Sequence, residues 1–185
     1  MSWESSLEAY PDHVRAIGMI SIENANLELW LADLMGAALN ISKRLAHAIY
    51  FAPRAAALRL DILEAAVKER LAPRKKADPA GTLERQKREA LAKIERIVKR
   101  SRAHVQKRHD VIHDAWGVDH EAPGSPVLRN RIKDAGFAEA DVAPIEQLED
   151  LVRSFRLLIS DVDVLVSEIR KHPPTLVDMR RERPE

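Results

Sequence analysis

Cysteine is absent from the 185 residues. Disulfide scaffolds, cysteine-ligated zinc or iron–sulfur centres and thiol nucleophiles are therefore excluded, and histidine is left as the side chain for proton transfer near neutral pH. Glycine is scarce, at six residues, and aromatics make up only 4%, which argues against a sandwich, a barrel or a Rossmann sheet. Long apolar runs are missing too. The most apolar window, 29–39, is short and contains Asp33, and the opening MSWESSLEAYPD has no basic segment followed by an apolar run. Neither a membrane span nor a secretory leader is expected, and a cytoplasmic location follows as the expectation.

What remains is rich in Ala, Leu, Glu, Lys and Arg, with 45% hydrophobic and 32% charged residues, the composition of a helical protein with a core. The expected fold class is all-α: an up-and-down four-helix bundle with short extra helical or hairpin segments. A single domain is expected over 1–172, with a flexible tail over 173–185. The first helix is expected from Pro11 to about 39, with an inward stripe of Ile17, Ile20, Leu27, Leu31, Leu34 and Ala38 interrupted at Asn24. Asn40 and Ser42 offer caps for a second helix ending at Phe51, and Pro53 opens a third that runs to about 71. The stretch PRKKADPAG at 73–81 reads as an exposed loop, and Thr82 starts a long helix with Leu83, Leu91, Ile94, Val98, Val105 and Ile112 facing inward. Gly117, after Trp116, reads as the stop of that helix, and Trp116 as a core plug continuing its stripe. Residues 118–142 read as a loop with at most a short hairpin at 127–132. The last helix is expected over about 143–171, stopped by His172-Pro173-Pro174.

The formal charge of +1 hides an asymmetry. Between Lys68 and Arg108 there are 15 Lys/Arg against 5 Asp/Glu, so this stretch carries +10 and the remainder, with 15 against 24, carries −9. A basic helical stripe suits a phosphate backbone or an acidic protein face, and a merely solvated face has the same appearance. Lys99, Arg100, Arg102 and Lys107 are the candidate RNA-binding residues on it. The three tryptophans are too scattered to form a base-stacking platform.

Three of the seven histidines, His104, His109 and His113, crowd the end of this helix. The string Arg108-His109-Asp110-Val111-Ile112-His113-Asp114-Ala115-Trp116 places a permanent cation, two imidazoles and two carboxylates within nine residues. His113 falls in the last turn, where the negative end of the helix dipole favours a cation. Arg108 and His113 are about 140° apart around a helix and about 7.5 Å along it. Either the arginine stem swings round to the imidazole, or pairs are gathered from two chains across a two-fold axis, which predicts a homodimer. An imidazole beside a guanidinium suits phosphodiester transesterification: the histidine moves the proton of a ribose 2′-hydroxyl or of the leaving oxygen, and the arginine stabilises the phosphorane.

An arginine followed by a polar residue, then a histidine after a gap of four to six, near the end of a long helix and trailed by a tryptophan, resembles the HEPN superfamily. That resemblance implies a helical bundle, a homodimer through the long helix, and either a metal-independent ribonuclease or a silent relative that binds nucleotides or protein. It implies Arg108 and His113 as the catalytic pair, with His109 in the intervening polar position. Asn26-Leu27-Glu28 resembles the acidic position in the first helix, which makes Glu28 a supporting residue, as is Asp110. No cofactor and no metal are implied. A second match to the spacing, Arg102 to His109, lacks a polar residue after its arginine and ends in mid-helix.

Two other readings remain open. His109 and His113 stand at the i, i+4 spacing of a helical metal pair, with His120, Glu23 or Glu28 as completing ligands only if folding brings them in. The chain also fits a silent helical module that binds RNA or a neutralising protein partner, as a toxin–antitoxin or defence component would.

Overall fold

The computed structural model describes residues 3–4, 7–72, 82–133 and 136–171. The loop expected at 73–81, the stop at His172-Pro173-Pro174, the tail at 173–185 and the inward placement of Leu83 lie outside the described residues. In chain order the elements are β1 (Trp3–Glu4), α1 (Pro11–Leu39), α2 (Lys43–Phe51), α3 (Ala56–Leu71), α4 (Thr82–His113), β2 (Ala115–Asp119), β3 (Val127–Lys133), β4 (Gly136–Val142) and α5 (Ile145–Lys171). The fold is helical, with one small antiparallel sheet. None of the described helices is long and apolar enough to cross a membrane.

The chain forms two compact units, one from Met1–Leu27 and Ala103–Leu158, the other from Glu28–Arg102 and Ile159–Glu185. In the second unit the stripe Leu31, Leu34, Met35 and Ala38 is buried, as are Leu60, Leu63, Val67 and Leu71 of α3 and Ile94, Ile97 and Val98 of α4. The exit from α1 is set by Asn40, which takes the left-handed conformation at φ 54°. Its N–H reaches Ala37 O at 3.3 Å and the Ile41 N–H reaches Gly36 O at 3.0 Å, a Schellman cap with asparagine where glycine is commonest. Ser42 then caps α2 by accepting from the Leu45 N–H at 3.3 Å. Gly36 allows the close approach of α2, since a Cβ there would lie 3.2 Å from the Ala46 Cβ.

The first unit holds the sheet, whose strands follow one another in the order β1-β2-β3-β4. Ala115 to Val118 pair with Asn130 to Val127, and Leu128 to Lys133 pair with Val142 to Gly136, with an irregularity between Asn130 and Ile132. This corrects two expectations. Residues 118–142 are not a loop with a short hairpin but two seven-residue strands joined to a third that begins at Ala115. Gly117 does not stop α4, which ends at His113; the glycine lies inside β2 opposite Leu128. Ala115 to Val118, of which only Trp116 and Val118 favour strands, find hydrogen-bond partners on β3, and this non-local pairing outcompetes one more turn of helix. Val111, Val118, Val127, Ala143, Leu148, Val152, Phe155 and Leu158 are buried in this unit.

Candidate functional site

The end of α4 belongs wholly to the first unit. Its inward stripe runs through His104, Val105, Arg108, Val111 and Ile112, all buried or half-buried, whereas His109 and His113 are exposed. This helical register, with its 100° step, separates the two kinds of residue. His104 is a packing residue. Its Nε2 lies 3.1 Å from the Ser154 Oγ and its ring meets Phe155 edge-on at 4.8 Å. The Ser154 hydroxyl proton already goes to Leu151 O at 2.8 Å, so the imidazole is the donor.

Arg108 stands differently. It is half-buried, its Nε is buried without a hydrogen-bond partner, and its guanidinium makes no ion pair among the described residues. The rings of His109 and His113 lie 4.4 Å apart, tilted by 46°. Neither makes a hydrogen bond or ion pair with another described residue, although His13 bonds Ala143 O at 3.0 Å and His47 bonds Asp33 at 2.7 Å. Asp110 is half-buried and accepts from the Gln106 amide at 2.7 Å.

Glu28 pairs with Arg59 and not with Arg108. It lies in the second unit and accepts from Arg59 Nη1 at 2.7 Å, both side chains being under one-fifth exposed. Arg59 is fixed further by donating to the carbonyls of Pro53 and Arg54 at 2.9 and 3.0 Å. Glu23, the other acidic residue considered as a metal ligand, is buried and paired with Arg156 at 2.7 Å. Among the described residues no group of three or more His, Asp or Glu side chains is placed to hold a metal ion.

The four basic candidates divide. Arg102 pairs with Asp61 and Glu64 at 2.7 Å each, and Arg100 pairs with Asp161 at 2.5 Å. Lys99 and Lys107 are exposed and make no ion pair among the described residues. Lys99, Arg100 and Arg102 belong to the second unit and Lys107 to the first.

A groove of about 860 Å³ borders this helix end; Lys107, Asp110, Trp116, Arg129, Asp141 and Asp150 are among the residues that line it. Arg108, His109 and His113 do not line it. One wall of the groove was not legible in the sequence. Trp116 and Arg129 are cross-strand partners on β2 and β3, and the guanidinium sits 5.9 Å from the indole centroid. Arg129 Nε also donates to Asp114, and the indole Nε1 donates to Val111 O at 2.9 Å. Trp116 is therefore only half-buried and belongs to the sheet, not to the stripe of α4. The β-forming Trp116, Val118 and Val127 are a signal for strands here, but nothing in the sequence sets the cross-strand register that brings Trp116 and Arg129 together.

Comparison of the chain with family models, with curated proteins and with solved structures gives no match in any of the three.

Proposed function

We propose that this chain is a HEPN-type, metal-independent endoribonuclease that works as a homodimer through the end of α4. The observation that carries the reading is that the three groups singled out by the motif are chemically uncommitted. Arg108 has no ion-pair partner among the described residues, and His109 and His113 keep their ring nitrogens free of hydrogen bonds to other described residues. A buried Nε without a partner costs about 1–3 kcal/mol, which a purely structural arginine would be selected to avoid.

In the reaction His113 takes the proton of a ribose 2′-hydroxyl as O2′ attacks the adjacent phosphorus. Arg108 stabilises the charge on the crowded phosphorane, and the P–O5′ bond breaks as the leaving oxygen gains a proton. The products are a 2′,3′-cyclic phosphate and a 5′-hydroxyl. His109 lies beside His113 and can serve as the second proton-transfer group. Of the four candidate cations, Lys99 and Lys107, free of ion pairs among the described residues, are left to meet the RNA backbone.

The test is cleavage of RNA in EDTA by wild type, Arg108→Ala and His113→Ala. The expected result is cleavage that survives chelation and falls about 10²–10⁴-fold in either variant. Loss of wild-type cleavage in EDTA would overturn the metal-independent mechanism.

A second reading has its own support. Arg100 and Arg102 of the basic stripe are neutralised by Asp161, Asp61 and Glu64 within the chain, as suits a helical module that holds a protein partner. RNA left intact by a folded wild-type chain would favour that module over the nuclease.

A further inference from the structure

We infer that His109 and His113 form a two-imidazole site for a borderline-soft divalent cation such as Cu²⁺, Ni²⁺ or Zn²⁺, and that filling it blocks the RNA-cleaving chemistry of this helix end. The second half rests on the proposed nuclease function; the first half does not.

The two residues are one helical turn apart, so their side chains leave the same face of α4 about 6 Å apart along the axis. Both are exposed, and their ring centroids are 4.4 Å apart. Imidazole nitrogens bind zinc at about 2.0–2.1 Å, which brings two of them to roughly 3–3.5 Å across one ion. Rings already this close reach that spacing by small side-chain rotations, with the helix left as it is. His13, His47 and His104 are unsuited by comparison: each is held by a hydrogen bond to Ala143, Asp33 or Ser154. Asp110 and Asp114 are also engaged, with Gln106 and Arg129, so water completes the coordination.

This donor set dictates selectivity. Imidazole suits copper, nickel and zinc, with copper bound most tightly, while the oxygen-seeking Mg²⁺ and Ca²⁺ find no ligand of their kind here. Bound metal occupies the lone pair that His113 needs to accept a proton. The ion is thus an inhibitor and not a cofactor.

The experiment is a calorimetric titration of the full chain with Ni²⁺, and separately with Mg²⁺, at pH 7.5. Wild type is compared with His109→Ala, His113→Ala and the corresponding glutamine variants, each checked for helicity by circular dichroism. The expected result is one Ni²⁺ per chain, bound at least tenfold more weakly by every variant, with no Mg²⁺ binding. Ni²⁺ affinity unchanged in folded His109→Gln and His113→Gln would overturn the site. In RNA cleavage, equimolar Ni²⁺ should stop wild type and EDTA should restore it. Cleavage that continues with Ni²⁺ bound would overturn the inhibition alone. A wild type that never cuts RNA would count against the nuclease reading and leave the binding result standing.

Discussion

Asp33 and Arg108 each place a charge on the inward side of a long helix, and the chain provides for the two charges in opposite ways. Asp33, only 8% exposed, accepts from Lys43 Nζ at 2.8 Å and from His47 Nε2 at 2.7 Å. Burial pushes its carboxyl up, but the hydrogen bonds and charges of Lys43 and His47 outweigh burial and hold it below the ordinary aspartate value. A depressed value in the folded state adds stability that is complete above an unfolded pKa of ~3.9 and is lost as pH falls through the folded value. Asp33→Asn should therefore cost about 2 kcal/mol in urea unfolding at pH 7, the scale of hydrogen bonds to a charged group, and the gap to wild type should narrow as pH falls below the unfolded value of ~3.9. A gap of constant size across this range would mean that the carboxylate charge is irrelevant there. Arg108 receives no such provision, and its unpartnered Nε is the kind of local cost that a fold retains where the group has other work to do.

At the scale of the element, α4 shows why a basic stripe counted in the sequence overstates the charge available to a ligand. Hydrogen bonds from Lys68 and then Arg102 hold the Glu64 carboxyl below its ordinary range, so Glu64 remains ionised and offsets the stripe. Lys93 is likewise paired with Glu168 at 2.6 Å. Each cation that displaces counterions from RNA steepens the salt dependence of binding by about one unit in log K against log salt. Lys99→Ala and Lys107→Ala should each weaken RNA binding and lower that slope by about 0.7–1, as fluorescence anisotropy at several salt concentrations would show. Arg102→Ala should change the slope less and lower thermal stability, because it leaves Asp61 and Glu64 without their shared cation. Equal slopes for wild type and both lysine variants would remove RNA from this surface. The helices themselves were legible because their signals are local: Pro11, Ser42 and the three- and four-residue spacing of Leu27, Leu31 and Leu34 act within a turn or two, while Asn40, expected as a cap for α2, instead ends α1. The sheet was not, because β2 owes its existence to β3, which lies beyond the turn at 120–126. A glycine after an aromatic reads equally well as a helix stop or as a strand position until its partner is known. Spacing singles out Arg108 and His113 for test, whereas the Arg129–Trp116 wall depends on cross-strand register, which the sequence does not set.

For the whole molecule the question is which chain would supply which half of the proposed pair, Arg108 and His113. Arg108 lies on the inward stripe of α4 and His113 is exposed at its last position, about 140° away around the helix. That separation disfavours a pair within one chain and suits a two-fold assembly in which the arginine of one protomer works with the histidine of the other. Mixing the two inactive variants distinguishes these arrangements. In a heterodimer of Arg108→Ala with His113→Ala, one composite site has lost both groups and the other keeps both. Random re-pairing makes half of the dimers mixed, each with one of two sites intact, so an equimolar mixture should recover about a quarter of wild-type cleavage. If each pair is drawn from a single chain, every site in the mixture lacks one group and no activity returns. Sedimentation of the same mixture should show dimers throughout, so that a failure to recover activity counts against the shared site and not against assembly.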